Sequence, residues 1–141
     1  NSCSPEYIEL ELTESVFIRD EKAALRALNT LKENGFRLSL DDFGSGFSSL
    51  SYLRSFQFEV VKVDKSLIQG IHLDSKANAL FNGLIAMLKN LQIEVVAEGV
   101  ELESYLPFMQ QADIQLMQGF YFDKPTPYDQ FLARHTSEPN R

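Results

Sequence analysis

Five short runs recur along this chain with helical spacing between them: Tyr7 to Leu12, Arg37 to Asp41, Val60 to Asp64, Ile93 to Glu98 and Ile114 to Gln118. A strand-like run, a polar cluster and then an amphipathic stretch, repeated in that order, predicts βα units with parallel strands. The alternation inside the runs narrows the fold further. Ile8, Leu10 and Leu12 alternate with Tyr7, Glu9 and Glu11; Leu38 and Leu40 with Arg37, Ser39 and Asp41; Val61 and Val63 with Lys62 and Asp64. In the fourth run Ile93, Val95 and Ala97 oppose Glu94, Val96 and Glu98. Period two sends the two sets to opposite faces of a sheet. An open doubly wound sheet is the alternative architecture, but its strands are covered on both faces and read as nearly continuous apolar runs, unlike these. Helices packed on the apolar set leave the ionisable set on the enclosed side of a barrel. Spacing of the run ends at 11, 41, 62, 98 and 118 extrapolates to the ~250 residues of a (β/α)8 barrel. The chain is therefore expected to be an incomplete (β/α)8 TIM-type barrel of about five βα units, residues 1–141 forming one domain portion that lacks about three units.

The connecting helices carry their own signals. Asp20 is placed to cap a helix with Ala24, Leu25, Leu28 and Leu31 at the 3.6 period, ending near Asn34-Gly35. Leu80, Leu84, Met87, Leu88 and Leu91 form a second apolar stripe in a helix starting close to Ser75. Shorter helices are expected over Ser48 to Arg54, Leu102 to Gln111 and Pro127 to Arg134, the last with Thr126 as N-cap. Phe56 and Phe58 are expected to pack beneath a helix.

Composition excludes several functions. With 20 Asp and Glu against 13 Lys and Arg, a formal charge of −7, the surface cannot coat a nucleic-acid polymer, which needs a basic face. The single cysteine, Cys3, forms no internal disulfide, and no apolar run approaches a membrane span or a signal peptide. A cytoplasmic location is the expectation, with any membrane tether lying upstream.

Each run ends on a polar side chain: Glu11, Asp41 with Asp42, Lys62 with Asp64, Glu98, and Gln118. In a barrel these ends share the rim where catalytic residues collect. Four carboxylates on one rim repel one another unless protons or cations occupy it. All-oxygen donors favour hard ions, so Mg2+ or Mn2+ is expected, with Ca2+ as an inhibitory occupant. Two ions would suit the neighbouring pair Asp41-Asp42 and would support phosphoester hydrolysis. Lys62 can hold an attacking water and offset charge on phosphorus oxygens, and Gln118 can position a water or a ligand group. Singly, such acids are most often turn or cap residues, and Phe43-Gly44-Ser45-Gly46-Phe47 read alone is a turn whose glycines permit positive φ. Five strands ending alike are hard to obtain from capping alone.

From about Tyr7 to Pro125 these motifs resemble the EAL domain family. The resemblance is carried by Glu11-Leu-Thr-Glu14-Ser, Asp41-Asp42-Phe-Gly-Ser-Gly-Phe-Ser-Ser-Leu, Lys62-Val-Asp64-Lys-Ser, Ala97-Glu98-Gly-Val-Glu101 and Gln118-Gly-Phe-Tyr-Phe-Asp-Lys-Pro125. It implies metal-dependent hydrolysis of cyclic-di-GMP to linear pGpG in bacterial second-messenger signalling. It implies Glu11, Asp41, Asp42 and Glu98 as metal ligands, and Lys62, Glu98 and Gln118 as catalytic groups. Glu14 is implied to steady the loop from Phe43 to Ser49, a link in the family between metal occupancy and dimer contacts, with Phe43, Gly44, Ser45 and Gly46 in that loop and Asp64 and Glu101 near substrate and metal. The Glu-Ala-Leu signature is absent, and so is a metal-binding Asn of an earlier strand; both would precede Asn1. Ser45 and Leu102 stand where Thr is common.

The chain alone is therefore expected to be weak or inactive, within a parent domain that is active. An upstream sensory or diguanylate-cyclase-like domain and a homodimer, or association through exposed barrel edges, complete the expected partners. The alternative is a catalytically inactive cyclic-di-GMP receptor or a protein-interaction module.

Overall fold

The computed structural model describes residues 3–45 and 51–135. Strands β1 (Glu9–Thr13), β2 (Arg37–Phe43), β3 (Val60–Val63), β4 (Glu94–Glu98) and β5 (Leu116–Gln118) form one sheet. All four pairings are parallel and the spatial order is β1-β2-β3-β4-β5. That order decides the architecture. A doubly wound sheet reverses direction at a switch point, which puts helices on both faces. Here every crossover steps the same way, and right-handed crossovers then place every helix on one face. The molecule is an arc of a (β/α)8 TIM-type barrel, as the alternation of the strands predicts.

The helices are α1 (Val16–Arg19), α2 (Glu21–Glu33), α3 (Ser51–Ser55), α4 (Lys65–Ile68), α5 (Ser75–Asn90), α6 (Leu106–Gln111) and α7 (Tyr128–His135). Leu28 of α2, Phe81, Ile85 and Leu88 of α5 and Met109 of α6 join Leu38, Leu40, Val61, Val63, Val95 and Ala97 of the sheet in one buried cluster. Phe58 sits in it too, packed edge-on to Phe56 at 4.9 Å. The apolar strand set thus faces the helices, as expected, and the polar set is left on the other side.

Three helices stop by the same device. After α2, Gly35 takes φ 88°, its N–H donates to the Lys32 carbonyl and the Phe36 N–H reaches back to Leu31. After α5 and α6, Gln92 (φ 60°) and Asp113 (φ 51°) occupy the same left-handed position, and Ile93 and Ile114 reach back to Leu88 and Met109. This is the Schellman stop, in which the following apolar residue folds under the helix and starts the next strand. Asp20, Asp64 and Asp74 cap the N-termini of α2, α4 and α5, accepting from the backbone of Ala23, Ser66 and Lys76.

Several boundaries and faces differ from the sequence reading. Tyr7 belongs to a 3-10 turn, Pro5–Tyr7, and is 80% exposed, because Pro5 starts a turn that β1 follows only from Glu9. Leu80 is 74% exposed, and Phe81 and Ile85 take the buried positions of α5. The stretch from Leu102 divides into a 3-10 turn, Glu103–Tyr105, and α6. Pro127 rather than Thr126 supplies the first carbonyl of the last helix, accepting from Gln130 and Phe131. Of the helix expected from Ser48, only Ser51–Ser55 lies within the described residues.

Candidate active site

Register fixes which side chains share the inner face, since paired residues of parallel strands point the same way. Toward the N-terminal end Glu9 pairs with Arg37, Glu11 with Ser39, Ser39 with Val60 and Val60 with Glu94, and Arg37 Nη2 lies 3.7 Å from both Glu9 and Glu94. One step further along β3 on the same face is Lys62, paired with Val96, which pairs in turn with Leu116. At the C-terminal mouth are Thr13, Asp41, Glu98 and Gln118, Glu98 and Gln118 being direct register partners.

Asp42 should point away from this mouth, because neighbours on a strand alternate. It does not, and the reason is a bulge. Between the pairs Leu40↔Val61 and Phe43↔Val63, β2 spends three residues where β3 spends two. The extra residue is Asp42, in the left-handed region at φ 56°. Asp tolerates that region better than most residues, and bulges commonly re-aim side chains beside active sites. Carboxylate oxygens of Asp41, Asp42 and Glu98 consequently lie within 4.8 Å of one another. Phe43, expected on the bordering loop, resumes the outward alternation and is 1% exposed in the core.

Lys62 binds this cluster from below. Its side chain is 9% exposed, and Nζ lies 2.9 Å from Glu11 Oε1, 2.9 Å from Glu98 Oε1 and 3.5 Å from Asp41 Oδ1. Burial pulls the lysine pKa down, but hydrogen bonds to Glu11 and Glu98 and the charges of Glu98 and Asp41 outweigh it, so the ammonium titrates above its ordinary range. Burial raises the Glu98 carboxyl, with Lys62 opposing and the charges of Asp41 and Asp42 adding. Asp42 is also raised, by desolvation first and then by its acidic neighbours Asp41 and Asp64. Four carboxylates thus meet one ammonium, and the mouth keeps an excess of negative charge.

The donor set fits a hard divalent cation. Three carboxylates converge, and the buried Asp41 Oδ1 has no hydrogen-bond partner among the described residues. Ser39 Oγ, fully buried two residues earlier on the same face, is likewise unpartnered. Buried polar atoms in native proteins are normally satisfied, so this pair points to a missing ligand, water or ion. Sequence reasoning did not single out Ser39; its place between Leu38 and Leu40 on the inner face was the available signal.

The remaining candidate residues divide. Glu11 is half exposed and joins the cluster through Lys62. Glu14 accepts from the Tyr52 hydroxyl at 2.6 Å, tying the end of β1 to α3, and Tyr52 stacks on Phe17 at 4.7 Å. Gly44 and Ser45 follow β2, whereas Gly46 and the rest of the loop to Ser49 lie outside the described residues. Asp64 caps α4, accepting from Ser66 at 2.9 Å; burial raises its carboxyl, but these hydrogen bonds and Lys65 prevail and hold it low. Glu101 is exposed, beyond the end of β4. Gln118 is exposed at the mouth, and Gly119 behind it presses on the Val100 backbone, leaving no room for a Cβ.

Comparison with known proteins agrees with this geometry. The probable cyclic di-GMP phosphodiesterase PdeG of Escherichia coli is 35% identical over 130 residues, 92% of this chain and 26% of PdeG. The solved structure "PaMucR Phosphodiesterase, c-di-GMP complex" superposes with a TM-score of 0.82 at 36% identity, covering 92% of this chain and 52% of that one. A manganese/cy-diGMP complex of Klebsiella pneumoniae BlrP1 superposes at 0.81 with 36% identity, over 87% of this chain and 31% of BlrP1. The chain spans 16 to 26% of the length of the first curated relatives it matches. The model of the EAL domain matches residues 1–125, and with the parallel arc and its acidic mouth this establishes that the chain belongs to the EAL domain family.

Proposed function

We propose that this chain is the C-terminal portion of a cyclic-di-GMP phosphodiesterase domain, which hydrolyses one phosphodiester of the cyclic dinucleotide to give linear pGpG. The observation that carries the reading is the convergence of Asp41, Asp42 and Glu98 within 4.8 Å at the mouth, with Lys62 Nζ 2.9 Å from Glu98. Relatives named as cyclic di-GMP phosphodiesterases and neighbours solved with the dinucleotide support the substrate class.

Asp41, Asp42 and Glu98 would hold a divalent cation, Mg2+ or Mn2+, with Glu11 beside them. Such an ion polarises a phosphate oxygen and lowers the pKa of water, and neighbours solved with manganese and with calcium are consistent with a divalent-cation site. The chain's own groups do the rest. Lys62, fixed on β3 and held protonated, supplies a positive charge to an oxyanion developing at phosphorus. Gln118, paired in register with Glu98, offers an amide that can orient a water or the substrate at the same mouth. The acidic rim would by itself repel the dinucleotide's phosphates, and a bound cation would offset that repulsion.

Among the described residues β1 and β5 end the sheet with one partner strand each, and solved EAL chains run to about two to three times the length matched here, 52% being covered in the PaMucR complex and 31% in BlrP1. A domain completed by upstream βα units is therefore the active form we propose, and the stretch alone would turn over weakly. The test is pGpG release by a chain extended upstream to a full EAL domain, assayed with Mg2+ or Mn2+ and with EDTA. Metal-dependent product supports the reading; an extended chain that binds Mn2+ and cyclic-di-GMP yet forms no pGpG overturns it.

A further inference from the structure

Lys62 lies where a cation belongs. It comes from the middle of the sheet, is almost fully buried, and brings Nζ to three carboxylates from three other strands: Glu11 of β1, Asp41 of β2 and Glu98 of β4. An ammonium has three N–H donors. Two are matched at 2.9 Å, to Glu11 and Glu98, while Asp41 at 3.5 Å is left with a buried Oδ1 that no hydrogen bond satisfies. Lys62 therefore touches two of the three carboxylates that converge at the mouth and half-satisfies the second. Asp42, the third, is the most exposed member of the group.

We propose that Lys62 is a built-in counter-cation: it holds Glu11, Asp41 and Glu98 together before any metal binds, and an arriving ion must take Glu98 from it. The entry point is the Asp41-Asp42 bulge, where one carboxylate oxygen is buried without a hydrogen bond among the described residues and the neighbouring carboxylate faces solvent. Binding there places a divalent charge close to Nζ, and like-charge repulsion favours exchange of the Lys62–Glu98 bond for a metal–Glu98 bond. Metal affinity and the position of the lysine are then two readings of one equilibrium. The displacement half of this inference rests on the metal-site reading above; the counter-cation half stands without it.

The test compares the wild-type chain with Lys62→Met, which keeps the apolar stem, and Lys62→Arg, which keeps the charge. Melting temperature is followed in EDTA and in saturating Mn2+, with calorimetry for bound Mn2+. Removing the one ammonium among partly buried carboxylates is expected to lower the Tm of Lys62→Met by roughly 5–10 °C in EDTA. Mn2+ should restore most of that loss, so its stabilising shift is larger in Lys62→Met than in wild type, and Lys62→Arg should stay close to wild type in EDTA. If wild type binds Mn2+ and Lys62→Met is unchanged in EDTA, or loses as much with Mn2+ as without, the inference is overturned, because lost packing would not distinguish the two conditions. If wild type binds no Mn2+ while Lys62→Met still melts well below Lys62→Arg in EDTA, the counter-cation role is supported and the metal-site reading is the one that fails.

Discussion

Asp42 carries two burdens at once, a left-handed backbone at φ 56° and a carboxyl whose pKa is raised by desolvation and by the charges of Asp41 and Asp64. Asn adopts the same backbone readily but has no charge. Asp42→Asn is therefore expected to leave the metal-free chain at least as stable as wild type in urea unfolding with EDTA, while lowering Mn2+ affinity tenfold or more, to judge by the roughly 10–100-fold losses that even supporting residues of a metal site show. A variant that lost stability and kept its affinity would remove Asp42 from the site. Asp64 behaves oppositely. Its side chain caps α4 and its pKa is held below the ordinary carboxylate value, so its contribution is present above the unfolded pKa of about 4 and is lost as pH falls through the lower folded value. Asp64→Ala is expected to cost about 1 kcal/mol near neutrality. The difference from wild type should shrink when unfolding is measured well below pH 4, and a constant difference would mean that the carboxylate is not the group responsible.

At the scale of the elements, the strands were legible because each has one apolar and one ionisable face, and the helix caps because Asp20 and Asn34-Gly35 state their positions openly. What was not legible depended on tertiary choice. Of the apolar stripe expected on helix α5, Leu84, Met87 and Leu88 do pack on the core, but Leu80 and Leu91 are exposed and Phe81 and Ile85 are buried in their place, a rotation of the buried face that contact with β4 and α4 selects. The bulge was hidden for a related reason. A left-handed Asp leaves no composition signal, so the sequence places Asp41-Asp42 together at the rim but does not show the bulge that lets two strand neighbours aim at one mouth. Gln92 conceals its conformation in the same way, ending α5 at φ 60° where α2 uses glycine. Gln92→Gly is thus expected to stabilise the chain by about 0.5–1 kcal/mol, seen as a higher urea midpoint at unchanged slope, since relief of the left-handed strain exceeds the added chain entropy. No gain, or a loss, would show that the Gln92 side chain makes up for its backbone.

For the whole molecule, the inner and outer faces of the arc meet different fates. The outer face is closed by helices, whereas the inner face carries the acidic mouth over the buried Ser39, Val60 and Lys62, and among the described residues β1 and β5 have no outer partner strand. The β5 edge is short, Leu116 on it is 43% exposed, and Phe120, Phe122, Tyr128 and Phe131 around it are each at least half exposed. An unpaired parallel edge flanked by that much apolar surface is a template for another strand. In a complete domain the natural occupant is a strand of the same barrel; in the chain by itself, a second copy is the nearest supply. Light scattering of the 141-residue chain is accordingly expected to show association that grows with protein concentration, and Leu116→Lys, which places a charge on the edge without touching Lys62 or the carboxylates, should shift it toward monomer. An upstream extension that completes the barrel should have the same effect without any substitution. If the chain is a concentration-independent monomer, or if Leu116→Lys associates as strongly as wild type, the edge is not the adhesive surface.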